Sequence, residues 1–157
     1  ILDDKTLLVH CVHVSEEELL LIKERGSRIC LCPGSNEFLG VGLAPVEKMV
    51  TLGLQLALGT DSPASNRTID IWREMQVLQN THDGLDARDI LAMATLGGAK
   101  ALEKDGDYGS LKVGKKAHFI HVSSIALRSC RDREEIIKIL VSHGKPEKIE
   151  WVSASHE

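Results

Sequence analysis

The segment from Leu54 to Asn66 reads LQLALGTDSPASN. It begins as an apolar run and ends in polar residues, among them Asp61 and Ser65. A short apolar run bounded by turn-forming residues is typical of a strand that is buried on both faces. The segment therefore predicts a buried strand whose carboxyl end presents side chains able to carry chemistry.

The same pattern occurs twice more, upstream of this segment. Residues 6–13 read TLLVHCVH, and residues 28–36 read RICLCPGSN. Helical patterns follow, and we place them at residues 15–25, 45–52, 69–81 and 86–102, with a loop after Pro33. Strands that alternate with helices at this spacing favour a parallel sheet with right-handed crossovers. A β/α barrel and a doubly wound sheet both satisfy the pattern.

The second part of the chain has a different pattern. Residues 108–122 are punctuated by Gly and alternate in polarity, which predicts β structure in a different layer. A helix is predicted over residues 133–143, and a last strand over residues 148–152. We therefore divide the chain into residues 1–105 and a β-rich segment with one helix, residues 106–157.

The composition excludes several classes of protein. Hydrophobic residues make up 43% and charged residues 27% of the chain, as in ordinary globular proteins. The net charge of −4 and the scattered basic residues predict no binding to nucleic acid or to an anionic membrane. The longest uncharged stretch, Met49 to Thr60, is too short for a transmembrane helix.

The cysteines and the first residue bear on cellular context. Four cysteines in a chain of 157 residues do not resemble a disulfide framework, so we expect a reducing, cytoplasmic environment. The chain begins at Ile1, with neither an initiator Met nor a signal peptide. We therefore expect it to be part of a longer protein.

Functional groups in parallel β/α folds collect at the carboxyl ends of the strands. Asp61 is the strongest candidate there, because a carboxylate at the end of a buried strand must be paired, hydrogen-bonded or metal-bound. It can bind a divalent metal and take a proton from water, or it can cap the following turn. Its position alone favours neither role over the other.

Other strand-end residues are weaker candidates. Strand alternation would place His10 and Val12 on one face and His13 on the other, so His10 is the better candidate for an acid or a ligand. Cys30 and Cys32 share a face and would form a zinc set with a histidine. Their spacing is not that of structural zinc sites, which favours a packing role.

Taken together, residues 8–13, 32–36, 43–46, 58–62 and 64–66 resemble the metal-dependent amidohydrolase superfamily. These segments read LVHCVH, CPGSN, LAPV, LGTDS and ASN. The nearest branch holds cytosine, guanine and adenosyl-type deaminases and the triazine hydrolases. Residues 109–117, GSLKVGKKA, resemble the β segment that follows the barrel in this family.

The resemblance implies the C-terminal part of a (β/α)8 TIM-type barrel, its last three strand–helix units, followed by part of a small β domain. Asp61 then matches the aspartate that binds the metal and shuttles the water's proton. His10 matches the histidine that polarises the group under attack. Ser65 and Asn36 either line the substrate pocket or cap loops.

The family's other metal ligands have no counterpart in this chain. They are a His-x-His pair on the first strand and a histidine on the fifth, and the pair His118 and His121 has the wrong spacing and position to replace them. The resemblance therefore implies that one divalent metal, zinc or iron, binds in the intact protein, with the N-terminal part of that protein as a partner.

The resemblance leaves alternative functions open. The leading one is deamination of an amino-substituted purine or pyrimidine, or a nucleoside derivative, by water that the metal activates. A second is displacement of chloride or an amine from a triazine. A third is a non-catalytic α/β fragment without a full metal site. We also expect a small-molecule substrate and a homo-oligomer.

Overall fold

The structure, a computed structural model, describes residues 1–153. Its elements alternate as the sequence predicts, starting with a strand and a helix. They are β1 (Leu7–Val9), α1 (Glu16–Glu24), β2 (Arg28–Leu31), α2 (Pro33–Leu39), α3 (Val46–Thr51), β3 (Gln55–Leu58), α4 (Ile71–Thr81), α5 (Ala87–Ala92), a π-helix (Met93–Gly97), α6 (Gly98–Ala101), β4 (His118–Ser123), a 3₁₀-helix (Ala126–Ser129), α7 (Arg133–Ser142) and β5 (Lys148–Ser153).

The first three strands form a parallel sheet in the order β1-β2-β3. Leu8 lies opposite Ile29, which lies opposite Leu56, so the apolar positions of neighbouring strands are aligned. The parallel α/β architecture predicted from the sequence is confirmed. Since parallel strands share one direction, their carboxyl ends lie at the same edge of the sheet.

The core lies between the sheet and its helices. Ile29 and Leu31 of the central strand are almost fully buried, as are Leu19 of α1, Met49 of α3 and Leu78 of α4. Helices α1 and α4 owe their positions to local signals in the sequence. Ser15 and Glu18 form the predicted capping box of α1, and Asp70 caps α4 through the Trp72 N–H.

Arg28 is a charged residue at the amino end of β2, the central strand of this sheet. The strand pattern gives no reason to expect a buried charge there. Its guanidinium is almost fully buried and donates to the backbone carbonyl groups of Asp4, Lys100 and Ala101. It also pairs with Glu103 at 2.7 Å. Arg28 therefore joins the amino end of β2 to the end of α6.

The first strand is shorter than predicted, and this corrects the assignment of faces. Strand β1 ends at Val9, and the next two residues adopt left-handed backbone conformations, with φ of 69° at His10 and 49° at Cys11. The alternation of a strand therefore stops before His10. The prediction that His10 and Val12 share a face was wrong for this reason.

The loop predicted after Pro33 is a helix, α2. Pro33 starts it, since proline has no N–H to satisfy and its φ suits a first turn. The Gly34 N–H donates to Glu74 on α4, so a residue far along the chain satisfies the start of this helix. Gly40 ends it in the left-handed conformation.

The helical pattern over residues 86–102 divides into α5, a π-helix and α6. At Gly97, in the π-helix, an added Cβ would lie 2.2 Å from the Leu56 carbonyl oxygen. Only glycine permits this close approach of helix and strand. The sequence predicts a helix here but not the extra residue in its turn.

The last part of the described chain forms a second, two-stranded sheet. Strands β4 and β5 pair antiparallel, with Ile120 opposite Trp151. The predicted β structure over residues 108–122 is confined to its end, because no regular ladder forms before His118. The last four residues of the predicted segment 106–157 lie outside the described residues.

Helix α7 connects these two strands and packs onto the first part of the molecule. It contacts α4 and α5, and its Ile137 and Val141 belong to the same buried cluster as Leu78 and Ile90. Among residues 1–153, no helix is long and apolar enough to cross a membrane.

Candidate active site

Two loops and the first turn of α2 bring polar side chains together at the carboxyl edge of the parallel sheet. His10 directly follows β1, Ser35 and Asn36 follow β2 at the start of α2, and Asp61 follows β3. His10 Nε2 lies 3.5 Å from Asp61 Oδ2, and the Ser35 hydroxyl donates to the same oxygen at 2.9 Å. The structure therefore brings together residues that are up to 51 positions apart in the sequence.

Asp61 is held in place by its own backbone and by hydroxyl groups. Its φ of 58° is left-handed, and its Oδ1 accepts the Ser62 N–H at 2.8 Å. The nearby Ser65 and Ser35 hydroxyls and the Ser62 N–H stabilise the charged form and lower the pKa of Asp61. The carboxylate is therefore ionised at neutral pH, and its side chain keeps 29% of its surface exposed.

Of the two roles that the sequence left open for Asp61, the turn role is visible in these contacts, and the metal role stays a prediction. Oδ1 makes the local turn contact with the Ser62 N–H. Oδ2 is directed at Ser35 and His10, which follow the other two strands. A carboxylate has about four lone-pair positions, so the hydrogen bonds from Ser35 and Ser62 leave room for a further ligand or proton.

His10 has a partner on each ring nitrogen. Its Nδ1 lies 3.0 Å from Asn36 Oδ1, and its Nε2 faces Asp61. Its own backbone N–H donates to the Cys30 carbonyl at 2.9 Å, which extends the pairing of β1 and β2 by one bond. The imidazole is thus held through Nδ1, has Nε2 directed at Asp61, and is 35% exposed.

The two residues predicted to bind substrate lie in the same cluster. Ser65 is half-buried, and its hydroxyl is 3.1 Å from that of Ser62 in the loop after Asp61. Asn36 is only 4% exposed, and its side-chain oxygen contacts His10. Ser65 therefore has surface available to a ligand, whereas Asn36 is buried against His10.

His13 and the cysteine pair lie outside this constellation. His13 is exposed and lies beside Gly42 rather than beside Asp61. Cys30 and Cys32 both lie next to Gly59, beneath the cluster. The hydrogen bond between the two thiols, together with burial, raises the pKa of Cys32, so this sulfur keeps its proton at neutral pH.

His118 and His121 belong to the second sheet. The His118 ring stands edge-on to Tyr108, with ring centroids 6.0 Å apart, and His121 Nδ1 lies 3.3 Å from Glu150. Within the part of the chain that the structure describes, no three His, Cys, Asp or Glu residues form a group that could hold a metal.

Glu74 supports the site through its neighbours, and the sequence analysis did not identify it. Its carboxylate is fully buried, accepts the Gly34 N–H at 2.7 Å and accepts the Asn66 side-chain amide at 2.7 Å. Burial raises the pKa of Glu74. Its signal in the sequence is a glutamate one helical turn before Leu78, on the apolar face of α4, where a charged residue needs a partner.

A parallel α/β sheet with a histidine–aspartate pair at its carboxyl edge places this candidate site where ligands bind in parallel α/β proteins. Residues 1–147 match the amidohydrolase family, and the chain belongs to that family. This confirms the resemblance seen in the sequence motifs.

Individual relatives narrow the comparison. The chain is 39% identical over 127 residues to a 5-methylthioadenosine/S-adenosylhomocysteine deaminase of Thermoanaerobacter pseudethanolicus, covering 76% of this chain and 30% of that protein. An adenosine deaminase from Xanthomonas campestris with bound zinc superposes with a TM-score of 0.82 at 30% identity, covering 92% of this chain and 34% of its own. Guanine deaminase from E. coli gives 0.82 at 28%, with coverages of 94% and 37%.

The chain thus spans about a third of the length of these relatives. The fold of this family is the TIM barrel. The residues present fit a divalent metal in part. Asp61 offers an ionised oxygen with free lone pairs, which is suitable for zinc. One such ligand is less than a site, since catalytic zinc takes three protein ligands.

Proposed function

We propose that this chain is the C-terminal part of an amidohydrolase barrel. In this proposal residues 1–105 supply the last three strand–helix units, and residues 106–157 supply the flanking β-rich segment with one helix. The parallel order β1-β2-β3 and the separate antiparallel pair β4-β5 support the division. The remaining barrel strands and metal ligands then lie in the N-terminal part of the intact protein.

The intact protein is proposed to deaminate an amino-substituted purine or pyrimidine, free or as a nucleoside derivative, by hydrolysis. The observation that carries this proposal is the approach of His10 Nε2 to Asp61 Oδ2 at the carboxyl ends of two strands. The similarity to deaminases that act on adenine nucleosides favours thioether-substituted adenosines within this class.

In this reaction a C–O bond forms and a C–N bond breaks at the carbon that carries the amino group. Asp61 is ionised, so it accepts one proton from the attacking water. It returns that proton to the departing nitrogen, which leaves as ammonia. The other proton of the water ends on the neighbouring ring nitrogen, so that atoms and charge balance.

His10 and Ser65 have supporting roles in this proposal. His10 lies beside Asp61 and is placed to stabilise charge that develops on the group under attack. Ser65 is the proposed substrate contact, because its hydroxyl lies in the loop after Asp61 and is partly exposed. The second proposed substrate residue, Asn36, instead faces His10.

One divalent metal, zinc or iron, is proposed to bind in the intact protein, with Asp61 as the ligand from this chain. When bound, such a metal lowers the pKa of water and thereby supplies a nucleophile at neutral pH. The Ser35 hydroxyl and the Ser62 N–H, which both donate to Asp61, support its carboxylate for this purpose.

A substrate panel with the intact protein tests the proposal. Ammonia release is measured with 5-methylthioadenosine, adenosine, guanine and a chlorinated triazine, and chloride release is measured with the triazine. We expect ammonia from an adenosine derivative, and none from the Asp61→Asn variant. Chloride release without deamination would favour the triazine alternative, and inactivity of the metal-loaded protein on every compound would favour a non-catalytic role.

Three further features remain proposals. We propose that the protein is a homo-oligomer, that it acts in the cytoplasm, and that it takes small molecules rather than nucleic acids or membranes as ligands. The net charge of −4 supports the last of these.

A further inference from the structure

The contact between Asn36 and His10 determines which ring nitrogen of the histidine carries a proton. Asn36 Oδ1 lies 3.0 Å from His10 Nδ1. A side-chain amide oxygen can only accept a hydrogen bond, so the hydrogen must be on Nδ1. In the neutral imidazole, Nε2 is then the unprotonated nitrogen, and it faces Asp61.

Both members of this contact are held in place. Asn36 is 4% exposed and belongs to α2, whose first turn is tied to α4 by the Gly34–Glu74 hydrogen bond. His10 adopts a left-handed backbone conformation, and its N–H is bound to the carbonyl of Cys30. The ring therefore has little freedom to turn over, and the contact is a property of the folded chain.

We propose that Asn36 is a positioning residue that fixes His10 as the Nδ1–H tautomer. Two proton acceptors, His10 Nε2 and Asp61 Oδ2, then face each other across 3.5 Å. A gap between two acceptors suits a hydrogen-bond donor, such as water or a departing ammonia. This consequence rests on the proposed deaminase function, while the tautomer itself does not.

The opposite tautomer would give a different site. With the hydrogen on Nε2, His10 would donate to Asp61 Oδ2, and Asn36 Oδ1 would face a bare Nδ1. In the observed orientation of the Asn36 amide, that oxygen would lack a donor at a cost of about 1 to 3 kcal/mol, so this tautomer requires the amide to turn over. With its oxygen toward Nδ1, Asn36 therefore favours a His10 whose Nε2 carries no hydrogen and does not donate to Asp61.

The tautomer is measured directly by solid-state 15N NMR of the intact protein labelled at histidine, at a pH where imidazoles are neutral. The His10 signal is assigned from its loss in His10→Gln. His82 provides an internal reference, because its Nδ1 lies 2.8 Å from Glu47 Oε2 and must likewise carry the hydrogen. We expect the Nδ1–H signature for His10, and an Nε2–H signature would overturn the proposal.

Variants separate positioning from general packing. Asn36→Asp keeps an acceptor opposite Nδ1 and should retain the Nδ1–H tautomer. Asn36→Ala removes the acceptor and should shift His10 toward Nε2–H. Asn80→Ala, an exposed position on α4, is the matched control and should leave His10 unchanged. An unchanged tautomer in Asn36→Ala would contradict the assignment.

Kinetics distinguish this proposal from a substrate contact. We expect Asn36→Ala to lower kcat about 10- to 100-fold with little change in KM, and Asn36→Asp to retain more activity. A rise in KM with unchanged kcat would instead make Asn36 a substrate-binding residue. An intact protein that shows the Nδ1–H tautomer but no deaminase activity would refute the proposed function and leave the positioning role supported.

Discussion

The side-chain amide of Asn66 donates to Glu74 Oε1 and to the Thr60 carbonyl, both at 2.7 Å. Glu74 also accepts the Gly34 N–H, so this buried carboxylate on α4 is hydrogen-bonded to α2 and to the loop after β3. These two segments carry polar side chains at the edge of the sheet. Glu74 thus stabilises the segments that carry the site residues and does not itself contact His10 or Asp61.

Replacing Glu74 by Gln should destabilise the protein and disturb the site. Gln can accept one of the two donors, but its own NH2 would face the other, which leaves a buried polar group unpaired. We expect the free energy of unfolding to fall by about 1 to 3 kcal/mol, measured by urea denaturation of the intact protein. Glu24→Gln, at an exposed position in α1, should have little effect. Equal midpoints for the two variants would contradict the role of Glu74.

The contacts of Glu74 with Gly34 and Asn66 also show what could not be predicted from the sequence. The approach of His10 to Asp61 follows from parallel strands whose ends meet at one edge, and the capping box of α1 is local. The contacts of Glu74 span up to 40 positions, and no local pattern encodes them. The burial of Arg28 likewise depends on carbonyl groups more than 70 positions away.

The turn at His10 shows the limit of periodicity. Strand alternation assumes that the backbone stays extended, and a left-handed residue breaks that assumption wherever it occurs. Two successive non-glycine residues with positive φ, His10 and Cys11, are uncommon, and no turn-forming glycine or asparagine marks this position in the sequence. Helix α2 was missed because tertiary contacts, rather than propensity, stabilise its short turn.

Replacing Asp61 by Asn in the intact protein should abolish turnover. The amide neither accepts the proton from water nor supplies the charge of an ionised ligand. Steady-state ammonia release should fall more than 10-fold in kcat. Asp83→Asn, at an exposed position after α4, is the control. If Asp61→Asn kept more than a tenth of the activity, Asp61 would be only a turn residue.

Replacing His10 by Ala should affect chemistry more than metal binding. The loss of a group that stabilises charge is expected to lower kcat by roughly 10² to 10⁴. Metal content, measured by elemental analysis of the purified protein, should stay near that of the wild type. His13→Ala, at an exposed position in the same loop, is the matched control. Loss of metal from the His10 variant would instead identify His10 as a ligand.

This chain, produced on its own, should associate in solution. Within residues 1–153, β1 and β3 each pair only with β2, so each leaves one edge of backbone groups unpaired. Such edges recruit further strands, and Val9 at the end of β1 is apolar and 48% exposed. Sedimentation at tens of micromolar should give a mass above the 17.2 kDa of one chain.

A lysine at the edge tests whether pairing of strands causes this association. Val9→Lys places a charge at the end of β1, which should weaken edge-to-edge pairing and lower the average mass. Leu20→Lys is the matched control, because Leu20 is also 48% exposed but lies on α1. If both variants associate equally, apolar surface rather than the sheet edge drives assembly. A wild-type chain that sediments as a monomer would show that the three-stranded sheet needs no partner.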